Sequence, residues 1–192
     1  MNALVLDASR EGETRTEQAA DALVASLAVR GYDVERLALR ELDIRACTGC
    51  FGCWTRTPGE CVIADDARRI AEQVVNSDVT AIVSPVTFGG YGSLAKSVVD
   101  RLICLVLPTF TMVDGEVHHK PRYERYPVWL ALGTLAEPSA EETALFARVV
   151  ERNAVNLYNP SHAVQIVVGD ESAETAVERL VANAGLRTEA LA

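Results

Sequence analysis

The sequence predicts an α/β domain with a parallel sheet covered by helices on both faces. Three observations carry this reading. Five short apolar runs of strand length alternate along the chain with five helical segments. The run at 79–84 is largely apolar, of the kind found in strands buried on both sides. With 192 residues, 49 % hydrophobic and 23 % charged, the chain can bury the core that one such domain needs.

The elements follow in order. Residues 3–6 form an apolar run that ends at Asp7-Ala8-Ser9, and the polar loop Arg10-Glu11-Gly12-Glu13 comes next. From residue 14 to 29 the apolar positions Ala19, Ala20, Leu23, Val24 and Leu27 recur at three and four, one face of a helix. Gly31 stops it, where helices favour glycine. Residues 32–39 carry apolar teeth at Val34, Leu37 and Leu39, as an edge or half-buried strand does. A Cys-rich loop fills 46–63. Asp65-Asp66 then offers a cap for a helix traced by Ile70, Val74 and Val75. The strand at 79–84 is bounded by Pro85, Thr87-Phe88-Gly89-Gly90-Tyr91-Gly92 is a glycine-rich loop, and 93–107 reads as a third helix. A fourth strand at 127–132, a helix at 141–157, a fifth strand at 163–168 and a last helix at 173–184 complete the series. The connection 108–126 is longer than most. Inside it, Val113-Asp114-Gly115-Glu116-Val117 carries the Asp-Gly signal of a tight hairpin. No internal repeat or linker divides residues 1–192, so one domain is expected.

Charge narrows the function classes. Eighteen Lys+Arg against 27 Asp+Glu give a net charge of −9. That argues against nucleic acid or an anionic membrane as a partner, since both require clustered cations. Residues 1–10 lack a basic start, and Asp7 breaks their apolar stretch, so no secretory signal is expected. The apolar run 102–107 ends at Pro108, far short of the ~20 residues that span a bilayer. A soluble cytoplasmic protein is the expectation.

Open α/β sheets bind ligands beyond the carboxyl ends of their strands, where the strand order reverses. In the common five-strand order 2-1-3-4-5 this point lies between the first and third strands, flanked here by loops 9–16 and 85–93. Ser9, Thr14 and Thr16 supply hydroxyls, Arg10 and Arg15 supply charge, and the first loop runs into a helix N-terminus. Such a helix start favours a phosphate; the alternative role for Thr14 or Thr16 is to cap the helix. No Gly-x-x-x-x-Gly-Lys-Ser/Thr occurs, which excludes a P-loop. Gly90-Tyr91-Gly92-Ser93-Leu94-Ala95 matches a dinucleotide pattern but follows the third strand, whereas that fingerprint follows the first. Lys96 with Asp100-Arg101 reads as a structural ion pair or solvated face, and His118-His119 as surface or interface residues. Trp54 and Trp129 read as core, with only Trp54 close to the cysteines in sequence. Tyr123 and Tyr126, with Lys120, Arg122 and Arg125, read as a lid or a subunit contact.

Cys47, Cys50, Cys53 and Cys61 fall within fifteen residues at the spacing C-x2-C-x2-C-x7-C. Cys104 sits in an apolar run and reads as a small buried hydrophobe. In a reducing compartment a tight group of cysteines is metal-binding or redox-active. Four thiolates suit a 4Fe–4S cluster or tetrahedral zinc, though zinc sites more often pair two separated C-x2-C units. Free thiols in a loop packed by Phe51, Trp54 and Val62 stay open as a third reading.

Taken together, Ser9-Arg10 with Thr14 and Thr16, Cys47-Thr48-Gly49-Cys50-Phe51-Gly52-Cys53-Trp54, Pro58-Gly59-Glu60-Cys61 and Asp65-Asp66 resemble the NAD(P)H-dependent FMN reductase and iron–sulfur flavoprotein group. Ser84-Pro85-Val86 and Leu94-Ala95-Lys96 with Asp100-Arg101 continue the match over roughly the first two thirds of the chain. The resemblance implies a flavodoxin-like, doubly wound five-stranded sheet of order 2-1-3-4-5, a single FMN-binding domain, and a homodimer or homotetramer. It implies an enzyme that passes electrons from NAD(P)H through FMN to a flavin, a quinone, another small electrophile or a protein. The FMN phosphate would rest on Ser9, Arg10, Thr14 and Thr16. The isoalloxazine would lie against Pro85, Val86, Thr87, Phe88, Gly89 and Tyr91, with Ser93 nearby. Cys47, Cys50, Cys53 and Cys61 would ligate a 4Fe–4S cluster. Thr87 stands where many members carry an aromatic, so ring stacking falls to Phe88 or Tyr91. Two rivals from other classes are an electron carrier that never meets NAD(P)H and an α/β domain with a structural zinc loop.

Overall fold

A computed structural model describes residues 1–186. The chain opens with β1 (Asn2–Asp7), α1 (Thr14–Val29) and β2 (Asp33–Ala38), closed by a 3-10 turn at Leu39–Glu41. One helical turn, α2 (Gly52–Thr55), lies within the Cys-rich loop, and α3 (Ala67–Asn76) follows it. Next come β3 (Val79–Thr87), β4 (Gly90–Tyr91), α4 (Ser93–Arg101) and a 3-10 turn at Leu102–Leu105. The chain continues through β5 (Val106–Val113), β6 (Glu116–Pro121), β7 (Val128–Leu135), α5 (Ala140–Asn156), β8 (His162–Val168) and α6 (Ala173–Asn183).

Five parallel strands lie in the order β2-β1-β3-β7-β8, which is the 2-1-3-4-5 order of a flavodoxin-like sheet. The two-residue β4 adds an antiparallel pairing on β3, and β5 with β6 form a separate hairpin. Successive side chains of a strand face opposite sides, and β1 shows the consequence. Leu4 and Leu6 join Ile70, Val74, Ala95, Val98, Phe146 and Val150, so α3, α4 and α5 cover one face. Ala3 and Val5 join Ala19, Leu23, Val177 and Leu180, so α1 and α6 cover the other. Burial on both faces is why β1, β3 and β7 are largely apolar on both sets of alternating positions. Trp129 is fully buried in the first cluster. No helix among the described residues is long and apolar enough to cross a membrane.

Two expectations need correction, while the Asp114-Gly115 hairpin forms where its signal placed it. The helix predicted over 93–107 ends at Arg101, and 102–107 becomes a 3-10 turn and the start of β5. Pro108 pushes the residue before it out of the α region, and Leu102, Cys104, Leu105 and Val106 are all buried, unlike one stripe of a helix. The connection 108–126 is largely the β5–β6 hairpin, turned at Asp114 (φ 50°) and Gly115 (φ 83°). Two consecutive left-handed residues make the two-residue turn that Asp-Gly favours. His118, expected at the surface or at an interface, is 6 % exposed within the chain itself. Its Nδ1 lies 3.0 Å from Asn156 Oδ1 and its Nε2 lies 3.2 Å from Glu116, because the hairpin folds back onto the end of α5. The tyrosines beyond the hairpin also fold onto the body: Tyr126 donates to the Leu105 carbonyl at 2.6 Å and accepts from the Arg122 N–H at 2.9 Å.

Gly133 on β7 lets the β3 end approach. A Cβ there would stand 2.7 Å from Val86 Cγ2, 3.0 Å from Phe146 Cε1 and 3.1 Å from Ile166 Cγ1. Gly133→Ala is therefore expected to overpack the layer and cost about 1–3 kcal/mol. Urea denaturation checks this: the midpoint should fall with little change in slope.

Candidate functional site

The carboxyl end of β1 is anchored by a buried carboxylate. Asp7 accepts from Arg36 Nη2 at 2.8 Å and from the Ser9 N–H at 2.9 Å, with Arg40 Nη1 3.6 Å away. Arg40 Nη1 also donates to Ser9 Oγ at 2.8 Å. Two arginines from β2 and the turn after it thus fix where the next loop starts. Thr16 is buried and shares a 2.8 Å hydrogen bond with the Thr134 hydroxyl, tying α1 to β7. Ser9 and Thr16 therefore support the loop from beneath, while Arg10 and Thr14 are exposed on it.

No side chain caps the N-terminus of α1, so neither Thr14 nor Thr16 plays that part. Glu17 is the first residue of α1 to donate to a carbonyl four residues back. The Thr14 N–H donates to the Gly12 carbonyl at 3.0 Å, which leaves the Arg15 and Thr16 N–H groups for an external acceptor. Gly12 (φ 82°) keeps the approach open: a Cβ there would meet nothing within 4 Å. The Glu13 carboxylate accepts from the Arg10 N–H at 2.9 Å, an anion already seated in this loop.

The second loop faces the first. Arg10 Nη2 donates to Ser93 Oγ at 3.0 Å, joining the segments that follow β1 and β3 at the reversal of strand order. Between β3 and β4, Phe88 (φ 51°) and Gly89 (φ 71°) make a two-residue turn. Gly89 is required by space as well as conformation, because its Cβ would stand 2.6 Å from Leu145 Cβ. Glu142 on α5 accepts from the Gly89 N–H at 3.3 Å. Ser84 Oγ accepts from the Gly92 N–H at 2.9 Å and closes the base of the loop. Pro85 is half-buried, Val86 buried, and Thr87 and Ser93 exposed. Tyr91 lies in the core, edge-on to Phe146 at 5.3 Å, so its ring is turned away from solvent. Phe88, 93 % exposed, is the aromatic presented by this turn. The Arg10–Ser93 hydrogen bond thus holds the start of α1 beside the Phe88–Gly89 turn, whose exposed parts are the side chains of Thr87 and Phe88.

The four clustered cysteines line one small cavity of about 40 Å³, together with Phe51, Ile63, Arg101 and Ile103. All are free thiols. Burial pushes the Cys53 thiol pKa up, and the charges of Cys61, Cys47 and Cys50 add to it. Cys50 moves the other way, held down by the Gly52 N–H at 3.5 Å, the Thr48 hydroxyl and the Arg56 charge. Burial, then the charges of Cys53 and Cys61, pushes Cys104 up to about 12, so it stays a protonated core residue. Gly52 admits Val62, whose Cγ1 would stand 2.4 Å from a Cβ. Arg68 donates to the Cys61 carbonyl at 2.7 Å, and Trp54 Nε1 to the Val106 carbonyl at 2.9 Å. Among the described residues no three His, Cys, Asp or Glu converge as ligands of a single metal ion.

Sequence reasoning missed several groups that build this edge. Arg36 and Arg40 carried no visible signal beyond a buried Asp7 that needs a cation. Arg101, read as a structural or solvated charge, is buried and paired with Asp65, while Lys96 and Asp100 form the exposed ion pair expected of them. Asp65 also accepts from the Ala67 N–H at the start of α3, so capping is only part of its role. A row of rings joins the cysteine cavity to the hairpin: Phe51 stacks on Trp54 at 5.2 Å, and tilted contacts run from Trp54 to His119 at 4.7 Å and from His119 to Phe110 at 4.5 Å.

Comparison with known proteins bears on the same segment. The family profile of NADPH-dependent FMN reductase matches residues 1–124. An iron-sulfur flavoprotein of Archaeoglobus fulgidus is 32 % identical over 83 residues, 43 % of this chain and 37 % of that protein. Another, from Methanocaldococcus jannaschii, is 32 % identical over 76 residues, 40 % of this chain and 38 % of that one. This chain's match therefore spans less than half the length of these relatives. Among solved structures, an NAD(P)H:quinone oxidoreductase from Methanothermobacter marburgensis has a TM-score of 0.70 at 14 % identity, covering 96 % of this chain and 95 % of that one. An FMN-dependent NADH-azoreductase from Bacillus anthracis, solved with FMN, has a TM-score of 0.64 at 11 % identity, covering 96 % and 97 %. At such identities these structures speak to the fold alone. The family match, in contrast, takes in both loops at the strand reversal and the whole cysteine segment, and by it the chain belongs to the NADPH-dependent FMN reductase family.

Proposed function

We propose that this protein takes electrons from NAD(P)H through a bound FMN and passes them to a flavin, a quinone, another small electrophile or a protein. The observation that carries the reading is the Arg10–Ser93 hydrogen bond, which sets the open start of α1 beside the exposed β3–β4 turn. FMN supplies the acceptor for a nicotinamide hydride, and the protein supplies binding, orientation and backbone donors. Arg10, the Thr14 hydroxyl and the Arg15 and Thr16 N–H groups at the start of α1 hold the phosphate, which replaces the Glu13 carboxylate at the Arg10 N–H. Ser9 and Thr16 keep that cradle in place from below. Pro85, Val86, Thr87, Phe88 and Gly89 form the wall for the ring, with Tyr91 packed behind and Ser93 at the side.

The same proposal makes Cys47, Cys50, Cys53 and Cys61 the ligands of a 4Fe–4S cluster. Their shared, largely apolar cavity supports it, as does the name iron-sulfur flavoprotein borne by the relatives. The free thiols suit a reducing cytoplasm. The apolar face of the hairpin, with Phe110, Met112 and Val117 exposed, suits burial between copies in a homodimer or homotetramer.

Thermal melts test the flavin site. At about 100 times its dissociation constant FMN should add ~2.7 kcal/mol, which for a domain of this size raises Tm by roughly 5–11 °C. Riboflavin, lacking the phosphate, should protect less. Equal protection by the two would remove the phosphate cradle at α1.

A further inference from the structure

Arg101 ends α4 with its side chain 1 % exposed, and it lines the cysteine cavity. A guanidinium carries five N–H donors, and four of these are used. Nη1 donates to the Arg45 carbonyl at 2.7 Å and to Asp65 Oδ2 at 2.9 Å. Nη2 donates to the Ile63 carbonyl at 3.3 Å and to Asp65 Oδ1 at 2.8 Å. Arg45 lies two residues before Cys47, and Ile63 two residues after Cys61. One side chain thus ties both ends of the cysteine loop together.

The fifth donor, Nε–H, is buried and makes no hydrogen bond of ordinary length among the described residues. An unmade hydrogen bond from a buried charged group is costly, and native structures rarely keep one. The bidentate contact with Asp65 fixes the plane of the guanidinium, so Nε cannot turn elsewhere for a partner. Burial works against the Arg101 charge, yet the Asp65 hydrogen bonds and the charges of Cys61 and Asp65 outweigh it and hold the pKa above its ordinary value. Cys61 and Arg101 line the same cavity.

Resting on the reading of the four cysteines as cluster ligands, we propose that Arg101 is a positioning residue for that cluster. Its free Nε–H donates to a sulfur of the cluster or of Cys61, and its charge favours the reduced form. Reduction adds one electron and therefore one negative charge to the group in the cavity. A cationic donor aimed at a sulfur stabilises that state, and hydrogen bonds to sulfur are among the levers that set cluster potentials. The electron comes from NAD(P)H, the donor of the proposed function.

Two variants separate this role from simple support of the loop. Arg101→Lys keeps the charge but loses the fork and Nε–H. The double variant Arg101→Gln with Asp65→Asn removes both buried charges, so neither partner is left alone. After anaerobic reconstitution, iron and sulfide should still load into both. Their midpoint potentials, read by paramagnetic resonance, should fall, with the double variant shifted further. A tenfold change in the reduced-to-oxidised ratio, about 59 mV for one electron, is the expected scale for it. Wild-type midpoints in iron-loaded variants would overturn the proposal. A second measurement covers variants that fail to fold: wild-type protein carrying 15N-arginine should show arginine nitrogen coupling to the reduced cluster in spin-echo spectra. An iron-loaded wild type without that coupling overturns the Arg101 assignment alone. Wild type that takes up no iron overturns the cluster reading, and the proposal with it.

Discussion

Asp65→Ala is expected to destabilise the protein by about 3–5 kcal/mol, the cost of leaving one buried charge without its partner. Both side chains of the Asp65–Arg101 pair are essentially inaccessible, at 0 % and 1 % exposed. Asp65 also accepts from the N–H groups of Arg45 at 3.0 Å and Ala67 at 3.2 Å, so its loss releases the loop end and the start of α3 together. Burial alone raises the Asp65 pKa, but the hydrogen bonds from Arg101, Arg45 and Ala67 and the Arg101 charge outweigh it and leave the pKa below the usual carboxylate range. A carboxylate depressed in the folded state contributes stability that is fully present above its unfolded pKa of about 3.9. That contribution is lost as pH falls through the lower folded value. The gap in urea midpoint between wild type and Asp65→Ala should therefore be large at neutral pH and narrow below about pH 4. A gap that persists unchanged into acid would mean the pair contributes little.

Cys50→Ser is expected to abolish iron and sulfide binding while leaving flavin reduction in place. Cys50 is an exposed member of the cysteine group, and the Gly52 N–H, the Thr48 hydroxyl and the Arg56 charge all favour its thiolate, the form a metal takes. Serine offers no comparable soft ligand. Wild-type protein reconstituted anaerobically should carry a full complement of iron and sulfide and show broad visible absorbance beyond the flavin bands. Cys50→Ser should show neither, and Cys104→Ala, altered outside the cavity lining, should match wild type. Iron binding unaffected by Cys50→Ser would return the loop to the reading of ordinary thiols.

The sheet order was legible because each strand is short, apolar and separated from the next by a periodic helix, and Asp114-Gly115 named its own turn. The ligand edge was legible for the same reason, since strand order places loops 9–16 and 85–93 side by side. What escaped were pairings across long sequence separations. Arg101 lies five residues from Lys96 and beside Asp100, which suggests a solvated helix face; Asp65, 36 residues away, draws it inward. His118 looked exposed because nothing local showed that the hairpin would pack on α5. Tyr91 looked available for stacking until its pairing with Val86 and its contact with Phe146 put it in the core. The cysteine spacing was plain, but the cavity also needs Ile103 from beyond α4, and no spacing rule reaches that far.

An anaerobic titration of FMN-loaded protein with NADPH tests the central claim most directly, with the flavin absorbance and the nicotinamide absorbance followed together. The expected result is loss of the yellow flavin colour as NADPH is consumed, one nicotinamide per FMN, with further consumption once a quinone is added. A protein that binds FMN at the α1 loop yet keeps it oxidised through excess NADPH and NADH would contradict the reductase reading and leave an electron carrier that does not meet nicotinamide.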